Sequence, residues 1–158
     1  MQTKDKTAGL KSAGQISAKE RDTINAMPEL YAQDGKGKDT IVHAHYFVGG
    51  YDFWCTECSR EGDDITMFGL THLFETELGI TSFNEMKAIR VKGIFPVEFD
   101  EYWEPCRLAD LTDENARDWV QMMWGTEEQV AEEVTQAATA AETATDTADV
   151  DVLEVMFV

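Results

Sequence analysis

The sequence has few basic residues. Lysine and arginine together number 13, against 31 aspartates and glutamates, which gives a formal net charge of −18 at pH 7. Binding to DNA, RNA or an anionic membrane needs cationic side chains to meet the phosphates. The composition therefore argues against direct binding to any of these. The roles that remain for the charge are binding of a basic protein, binding of metal ions, or solubility alone.

Long apolar runs and an even set of cysteines are also missing. No apolar stretch approaches the length of about 18 residues that a membrane helix needs, and no charged-then-apolar signal opens the chain. Cys55, Cys58 and Cys106 are an odd number, which argues against a secreted disulfide framework. We therefore expect a soluble protein with reduced thiols in the cytoplasm of a host cell.

Charge and aromatic content change along the chain and predict its organisation. Residues 126–158 hold nine carboxylates and no lysine or arginine, whereas the 4 Trp, 8 Phe and 4 Tyr are typical of a globular body. We expect a flexible lead over residues 1–15 and a single domain over residues 16–125. An acidic Ala/Thr/Glu-rich tail follows over residues 126–158, and its last nine residues turn apolar.

Three segments of the domain have the pattern of helices. Ser17 with Glu20, and Ser82 with Glu85, form capping boxes that begin two of them, and the first must end before Pro28. Thr112 is the expected cap of the third helix. Its apolar stripe is Ala116, Trp119, Val120, Met123 and Trp124.

Four further segments are typical of β-strands. They are Thr40–Val48, Tyr51–Cys58, Ile65–Phe74 and Phe95–Arg107. Gly49-Gly50 between the first two predicts a tight hairpin. The chain is thus expected to be an α+β protein, with an antiparallel sheet of four to five strands and two to three short helices packed on one face.

The hairpin brings together the residues that most resemble metal ligands. A two-residue turn pairs His45 with Trp54 and His43 with Thr56, so His43, His45 and Cys58 share one face of the hairpin. Two imidazoles and a thiolate are ligands that zinc accepts. Cys55 points to the other face, so Cys55 and Cys58 cannot act as a unit within a straight strand. The alternative is a structural hairpin with buried thiols.

The sequence contains no diagnostic catalytic motif. Cys58 and His72 are residue types used in nucleophilic catalysis, but their spacing is not diagnostic, and Gly35-Lys36-Gly37-Lys38 lacks the spacing of a phosphate loop. Carboxylates on a rigid sheet can instead copy the phosphate field of a nucleic acid and occupy a basic groove. Solvated surface is the alternative for each of them. The candidate binding residues are Trp54, Glu57, Glu75, Glu77, Glu98, Asp100 and Glu101.

Short motifs over roughly residues 27–111 resemble a family encoded on plasmids, conjugative elements and phages, the domain-of-unknown-function family 2958. They are Pro28–Ala32, Phe53–Glu57, Met67–Leu70, Glu75–Gly79, Ser82–Glu85, Val97–Asp100 and Glu104-Pro105. The resemblance implies a compact α+β domain from a mobile element and carries no established activity. It singles out Glu57, Gly69, Glu77 and Gly79 as matched positions.

The sequence predicts a non-enzymatic acidic accessory protein of a phage or plasmid that binds a basic host or phage protein. Inhibition of a nucleic-acid-handling or defence complex by nucleic-acid mimicry is its most concrete form. One alternative is a zinc- or thiol-dependent enzyme that uses His43, His45 and Cys58. A second is a virion or assembly component whose apolar end, Val150–Val158, docks on a partner.

Overall fold

The computed structural model describes residues 4–125 and 132–138. Its helices are α1 (Ala18–Ala26), α2 (Phe83–Ala88) and α3 (Glu114–Trp124), and residues 132–138 are also helical. The strands are β1 (Ile41–Val42), β2 (Ala44–Val48), β3 (Tyr51–Glu61), β4 (Asp64–His72), β5 (Thr76–Ser82), β6 (Arg90–Val91), β7 (Phe95–Pro96), β8 (Glu98–Phe99) and β9 (Cys106–Arg107).

Five strands form one antiparallel sheet in the order β5-β4-β3-β2-β8. Two smaller antiparallel pairs, β1 with β9 and β6 with β7, form separate two-stranded sheets. An antiparallel five-stranded sheet with short helices confirms the predicted α+β class. Because neighbouring strands lie about 4.8 Å apart, the two edges of the sheet are separated by about 19 Å.

The helix starts follow the predicted capping residues in two of three cases. The side chain of Ser17 accepts the amide of Glu20 at 3.1 Å, and Ser82 accepts that of Glu85 at 3.2 Å. The first helix ends at Ala26, ahead of the proline, as predicted. In α3 the cap is Asp113 instead of Thr112, since Asp113 accepts the amide of Ala116 at 3.1 Å.

The β2–β3 hairpin has the predicted register. His45 pairs with Trp54 and Val48 with Tyr51, and Gly49 turns the chain with a φ of 53°, a conformation that favours glycine. A β-bulge between Cys55 and Glu57 then shifts the register against β4. After a bulge, the residues of a strand face the opposite side from where simple alternation would place them.

One face of the sheet, the core face, carries Tyr46, Phe53 and Cys55 and packs against α1 and α2. Ile24 from α1, Phe83 and Met86 from α2, and Leu10 from the N-terminal segment belong to the same buried cluster. Its other members are Ile16, Met27, Ala44, Val48, Cys58, Ile65, Met67 and Val97. Helix packing on this face agrees with the prediction for α1 and α2.

A second set of buried apolar residues lies outside that cluster. Trp54 and Leu70, which pair with each other across β3 and β4, point away from the core face. In α3 the predicted stripe is buried at Ala116, Trp119 and Val120, while Met123 is 51% exposed. Leu108 and Leu111 are also buried outside the main cluster.

Two predicted segments differ from the structure, and one strand was missed. The segment over residues 1–15 was predicted to be a flexible lead, but its described residues pack on the domain. Leu10 is buried, and Lys6 donates to the main-chain carbonyls of Met27 and Cys58. The predicted strand Phe95–Arg107 is divided into β7, β8 and β9, because each segment pairs with a different strand. The edge strand β5 was not predicted.

Every strand that the structure describes belongs to the first compact unit, residues 1–120, and a second unit begins at Gln121. The prediction of partial helix in the tail agrees with residues 132–138. The predictions for the rest of the tail, including Val150–Val158, fall outside the described residues. Within the described ranges, no helix has the length and apolar character to cross a membrane.

Candidate functional site

The face of the sheet opposite the core face carries a row of polar and aromatic side chains, and we call it the histidine face. The register places His45 beside Trp54, and Asp52 between Phe47 of β2 and His72 of β4. The same face continues onto β8, where Glu98 pairs with Phe47. Acidic, imidazole and aromatic groups are therefore assembled here by strand pairing alone.

His45 lies at the centre of this arrangement, between two carboxylates. Its Nε2 is 2.9 Å from Asp52 Oδ1, and its Nδ1 is 3.1 Å from Asp100 Oδ2. A neutral imidazole has one N–H, so only the imidazolium donates to both carboxylates at once. The ring also stacks on Trp54 at 5.6 Å between centroids and on Phe47 at 5.4 Å.

These contacts hold the chain that begins with β8 and continues to Glu104. We call Glu98–Glu104 the acidic segment. In addition to the contact between the His45 ring and the Asp100 carboxylate, the main-chain amide of Asp100 donates to the carbonyl of His45 at 2.9 Å. The indole Nε1 of Trp103 donates to the carbonyl of Val42 at 3.1 Å. The Trp103 ring lies 5.2 Å from that of His45. The segment is thus fixed to β2 at several points although it has little regular structure of its own.

What the acidic segment presents to solvent is three carboxylates and one aromatic ring. Glu98, Glu101 and Glu104 are exposed, and Tyr102 is 92% exposed between two of them. None of these carboxylates is paired with a cation among the described residues; Lys19 meets the main-chain carbonyl of Glu101 and not its side chain. A fixed loop with uncompensated charge and an exposed tyrosine has the features of a protein-binding surface.

The structure separates the seven predicted binding residues into three groups. Trp54 and Glu57 are 2% and 3% exposed, so neither can contact a partner directly. Glu75 and Glu77 are exposed but lie at β5, at the opposite edge of the sheet. Only the remaining three lie together in the acidic segment, with Asp100 half-buried against His45. They are Glu98, Asp100 and Glu101.

The predicted zinc ligands are not brought together. The bulge after Cys55 turns Cys58 onto the core face, where its Sγ contacts the carbonyl of Ile24 at 3.7 Å, while His45 stays on the histidine face. The expectation that Cys58 shares a face with His43 and His45 is therefore wrong, because it assumed a straight strand. Across residues 4–125 and 132–138, no three His, Cys, Asp or Glu side chains are placed to hold a metal ion.

The thiols have the environment of core residues. Cys58 has no exposed surface, and burial raises its pKa to about 11, against a smaller opposite effect of Lys6. Burial likewise raises the pKa of Cys55 well above its usual range. A reactive cysteine needs the reverse, a lowered pKa and access to solvent. These two thiols are protonated near neutral pH.

Two buried polar clusters were missed by sequence reasoning. Glu20, expected to close a capping box, instead accepts from Lys87 Nζ at 2.8 Å and from the Tyr46 hydroxyl at 2.9 Å within the core. Glu57 accepts from the hydroxyl of Thr56 at 2.7 Å and from the amide of Gln33 at 3.3 Å. No periodicity marks either carboxylate as buried.

Beside the N-terminal segment the surface has a cleft of about 680 Å³, lined by Lys4, Asp5, Lys6, Asn25, Glu29 and Arg60 among others. Two of its three cations, Arg60 and Lys6, bind main-chain carbonyls of the protein itself. Arg60 donates to the carbonyls of Lys6, Ala8 and Gly62, and Lys6 donates to those of Met27 and Cys58. The cleft therefore lacks a free cationic group at these two positions.

Comparison with known proteins finds no match for the chain among family models, curated proteins or solved structures. The resemblance to the plasmid and phage family stays a prediction that rests on its short motifs.

Proposed function

We propose that the protein is a non-enzymatic accessory protein that binds a basic host or phage protein through the acidic segment. The observation that carries this proposal is the exposure of Tyr102 among three unpaired carboxylates on a chain held in place by His45 and Trp103. A partner that presents lysines and arginines around an apolar pocket would match this surface.

The distribution of ion pairs supports a cationic partner. Of the 13 lysines and arginines, Arg60 and Arg90 each donate to two or more main-chain carbonyls, and Lys6 and Lys19 also donate to main-chain carbonyls. Among the described residues, no lysine or arginine side chain forms an ion pair with Glu98, Glu101 or Glu104, so the acidic segment keeps its charge. Uncompensated charge of one sign steers a partner of opposite sign and raises the association rate.

The fixed conformation of the segment supports binding rather than simple solvation. Ordering a flexible loop on binding costs conformational entropy, and a loop that is already held avoids most of that cost. Acidic residues on a flexible segment would give solubility equally well. Solubility therefore does not require that the segment be fixed by the hydrogen bonds of Asp100 and Trp103.

A basic groove that normally holds nucleic acid is the partner surface that best fits these carboxylates. In this form of the proposal, the protein occupies the groove as a mimic of phosphates and inhibits a nucleic-acid-handling or defence complex in the host cytoplasm. The resemblance to proteins of mobile elements favours this setting. Competition by duplex DNA for the same partner follows directly from shared use of the groove.

The test is capture of partners from host lysate by the immobilised full chain. Three baits are compared: the wild type, the triple variant Glu98→Gln/Glu101→Gln/Glu104→Gln, and a control, Glu61→Gln/Glu75→Gln/Glu85→Gln. The control makes the same charge change with exposed residues outside the acidic segment. We expect basic, nucleic-acid-binding proteins on the wild type and control baits, and at least about a tenfold loss on the triple variant.

Added duplex DNA should release the same proteins from the wild-type bait. Equal capture by the triple variant and the control would contradict the proposal, as would the absence of any specific partner in low salt. If partners bind through the acidic segment but are not released by duplex DNA, the protein-binding function is retained and the proposal of nucleic-acid mimicry is rejected.

A further inference from the structure

The edge strand β5 lacks the features that normally protect a sheet edge. It has seven residues, pairs with β4 along its whole length without a bulge, contains no proline and carries a single charged residue, Glu77. Natural edge strands are usually short, bulged or charged, because an open row of N–H and C=O groups recruits further strands. No other strand of the described residues pairs with its outer side.

On one face of this edge the two central side chains are apolar, and Thr76 and Ser82 flank them. Leu78 and Ile80 point to the histidine face, where they pair with Leu70 and Phe68 of β4, and they are 36% and 65% exposed. On the other face the strand presents Glu77, Gly79 and Thr81. An apolar stripe at an open edge is a site where a second strand would gain both main-chain hydrogen bonds and side-chain burial.

From this edge we infer that two copies of the chain associate through β5, in antiparallel fashion about a two-fold axis beside Gly79. Such an axis is perpendicular to the sheet and places one residue opposite itself. With Gly79 at the centre, all seven residues of the strand are paired, since Gly79 is the midpoint of Thr76–Ser82.

The sequence of β5 is complementary to itself in this register. Leu78 of each copy lies opposite Ile80 of the other, which joins four apolar side chains into one cluster on the histidine face. On the other face Glu77 lies opposite Thr81, so no two carboxylates face each other. Cross-strand apolar pairs stabilise a sheet, whereas like charges directly opposite destabilise it.

The space around Gly79 and the net charge of the chain both bear on this dimer. A Cβ placed on Gly79 would meet no atom within 4 Å, so a side chain can be introduced at the proposed axis without a clash within its own chain. Each copy carries a net charge of −18, and the two copies repel each other at low ionic strength. Association through β5 therefore strengthens as salt is added, opposite to binding of a basic partner, and the dimer does not depend on the proposed function.

The first test is sedimentation velocity of the full chain over a concentration series in low and high salt. Ile80→Lys places a charge at the interface, and Ile94→Lys makes the same change at a residue that is 70% exposed in the β6–β7 hairpin. We expect dimers for the wild type and for the Ile94 variant, favoured by salt, and monomers for the Ile80 variant.

A second test detects the two-fold axis directly. In antiparallel sheets the Cα atoms of opposite residues are about 4.5–5.5 Å apart, within the range that a disulfide spans. Gly79→Cys in a Cys106→Ser background should therefore form a covalent dimer under mild oxidation, because the two remaining cysteines are buried. Ile94→Cys in the same background should not.

A wild type that stays monomeric at every concentration and salt would overturn the inference. Equal dimerisation of the Ile80→Lys and Ile94→Lys variants, or no cross-linking through Gly79→Cys, would do the same. The wild type could instead stay monomeric and bind a different protein, with Ile80→Lys but not Ile94→Lys abolishing that binding. This result would mean that the edge pairs with a strand of another protein, and it also rejects the dimer.

Discussion

At the scale of single residues, Gly69 has the most sharply defined role. It lies in β4 opposite Cys55, at the point where the β-bulge of β3 begins. A Cβ on Gly69 would lie 2.1 Å from the carbonyl oxygen of Trp54 and 2.9 Å from the Cα of Cys55. Only a residue without a side chain permits this close approach of the two main chains.

We predict that Gly69→Ala lowers the free energy of unfolding by about 1–3 kcal/mol, because the main chain of β3 must shift to admit the methyl group. Gly79→Ala is the control, since it changes the paired glycine of β5, where a Cβ meets no atom within 4 Å. Its effect should be within about 0.5 kcal/mol. Urea unfolding of both variants measures the difference, and equal stabilities would refute the account of the bulge.

Residue identity alone did not reveal which carboxylates are buried. Glu20 begins a helix in a position that predicts a capping role, yet it enters the core because Lys87, 67 residues later, supplies the matching charge. The partner of such a residue is set by tertiary packing, which the local sequence does not encode. In contrast, Ser17 and Ser82 cap their helices as predicted, since capping depends on neighbours three residues away.

At the scale of elements, short-range patterns were reliable and long-range pairing was not. The Gly49-Gly50 turn fixes the hairpin register, so His45 opposite Trp54 followed from the sequence. The bulge between Cys55 and Glu57, which begins directly after Trp54, did not follow from the sequence, because it depends on how β3 fits both β2 and β4. It moved Cys58 to the other face. The strand β5 was missed since its seven residues run directly into the cap of α2.

Asp64 joins two elements and gives a pH-dependent contribution to stability. It accepts the hydroxyl of Ser82 and, at 2.9 Å, the amide of Asn84, and so ties the start of β4 to the first turn of α2. Burial alone would raise the pKa of Asp64, but these hydrogen bonds lower it. A lowered pKa in the folded state means that the ionised carboxylate stabilises the fold at neutral pH.

We predict that Asp64→Asn lowers the free energy of unfolding by about 1–2 kcal/mol at neutral pH. The difference from the wild type should shrink as the pH falls below about 3.9 and through the lower folded pKa, where the wild-type carboxylate also becomes neutral. Urea unfolding at neutral and acidic pH measures this. The neighbouring Asp63→Asn, at an exposed residue, should change little at either pH; a loss equal to that of Asp64→Asn would count against the account.

At the scale of the whole molecule, the charge of −18 has two separate parts. Half of it lies beyond residue 125, where composition predicted a low-complexity tail. The other half belongs to the folded body, where the structure shows that the acidic segment is fixed by His45 and Trp103 and remains uncompensated. The sequence named Glu98, Asp100 and Glu101 among seven candidate binding residues, but it did not reveal that the segment holding them is fixed to β2, because that depends on the contacts of His45 and Val42 with Asp100 and Trp103.

The salt dependence of partner binding tests the central claim most directly. The dissociation constant of a captured basic partner is measured over a series of KCl concentrations, for the wild type and for Glu98→Gln/Glu101→Gln/Glu104→Gln. We predict that affinity of the wild type falls steeply as salt is added, and that the variant binds at least about tenfold more weakly in low salt with a shallower dependence. An affinity that is independent of salt, or a variant with the wild-type curve, would contradict binding through the acidic segment.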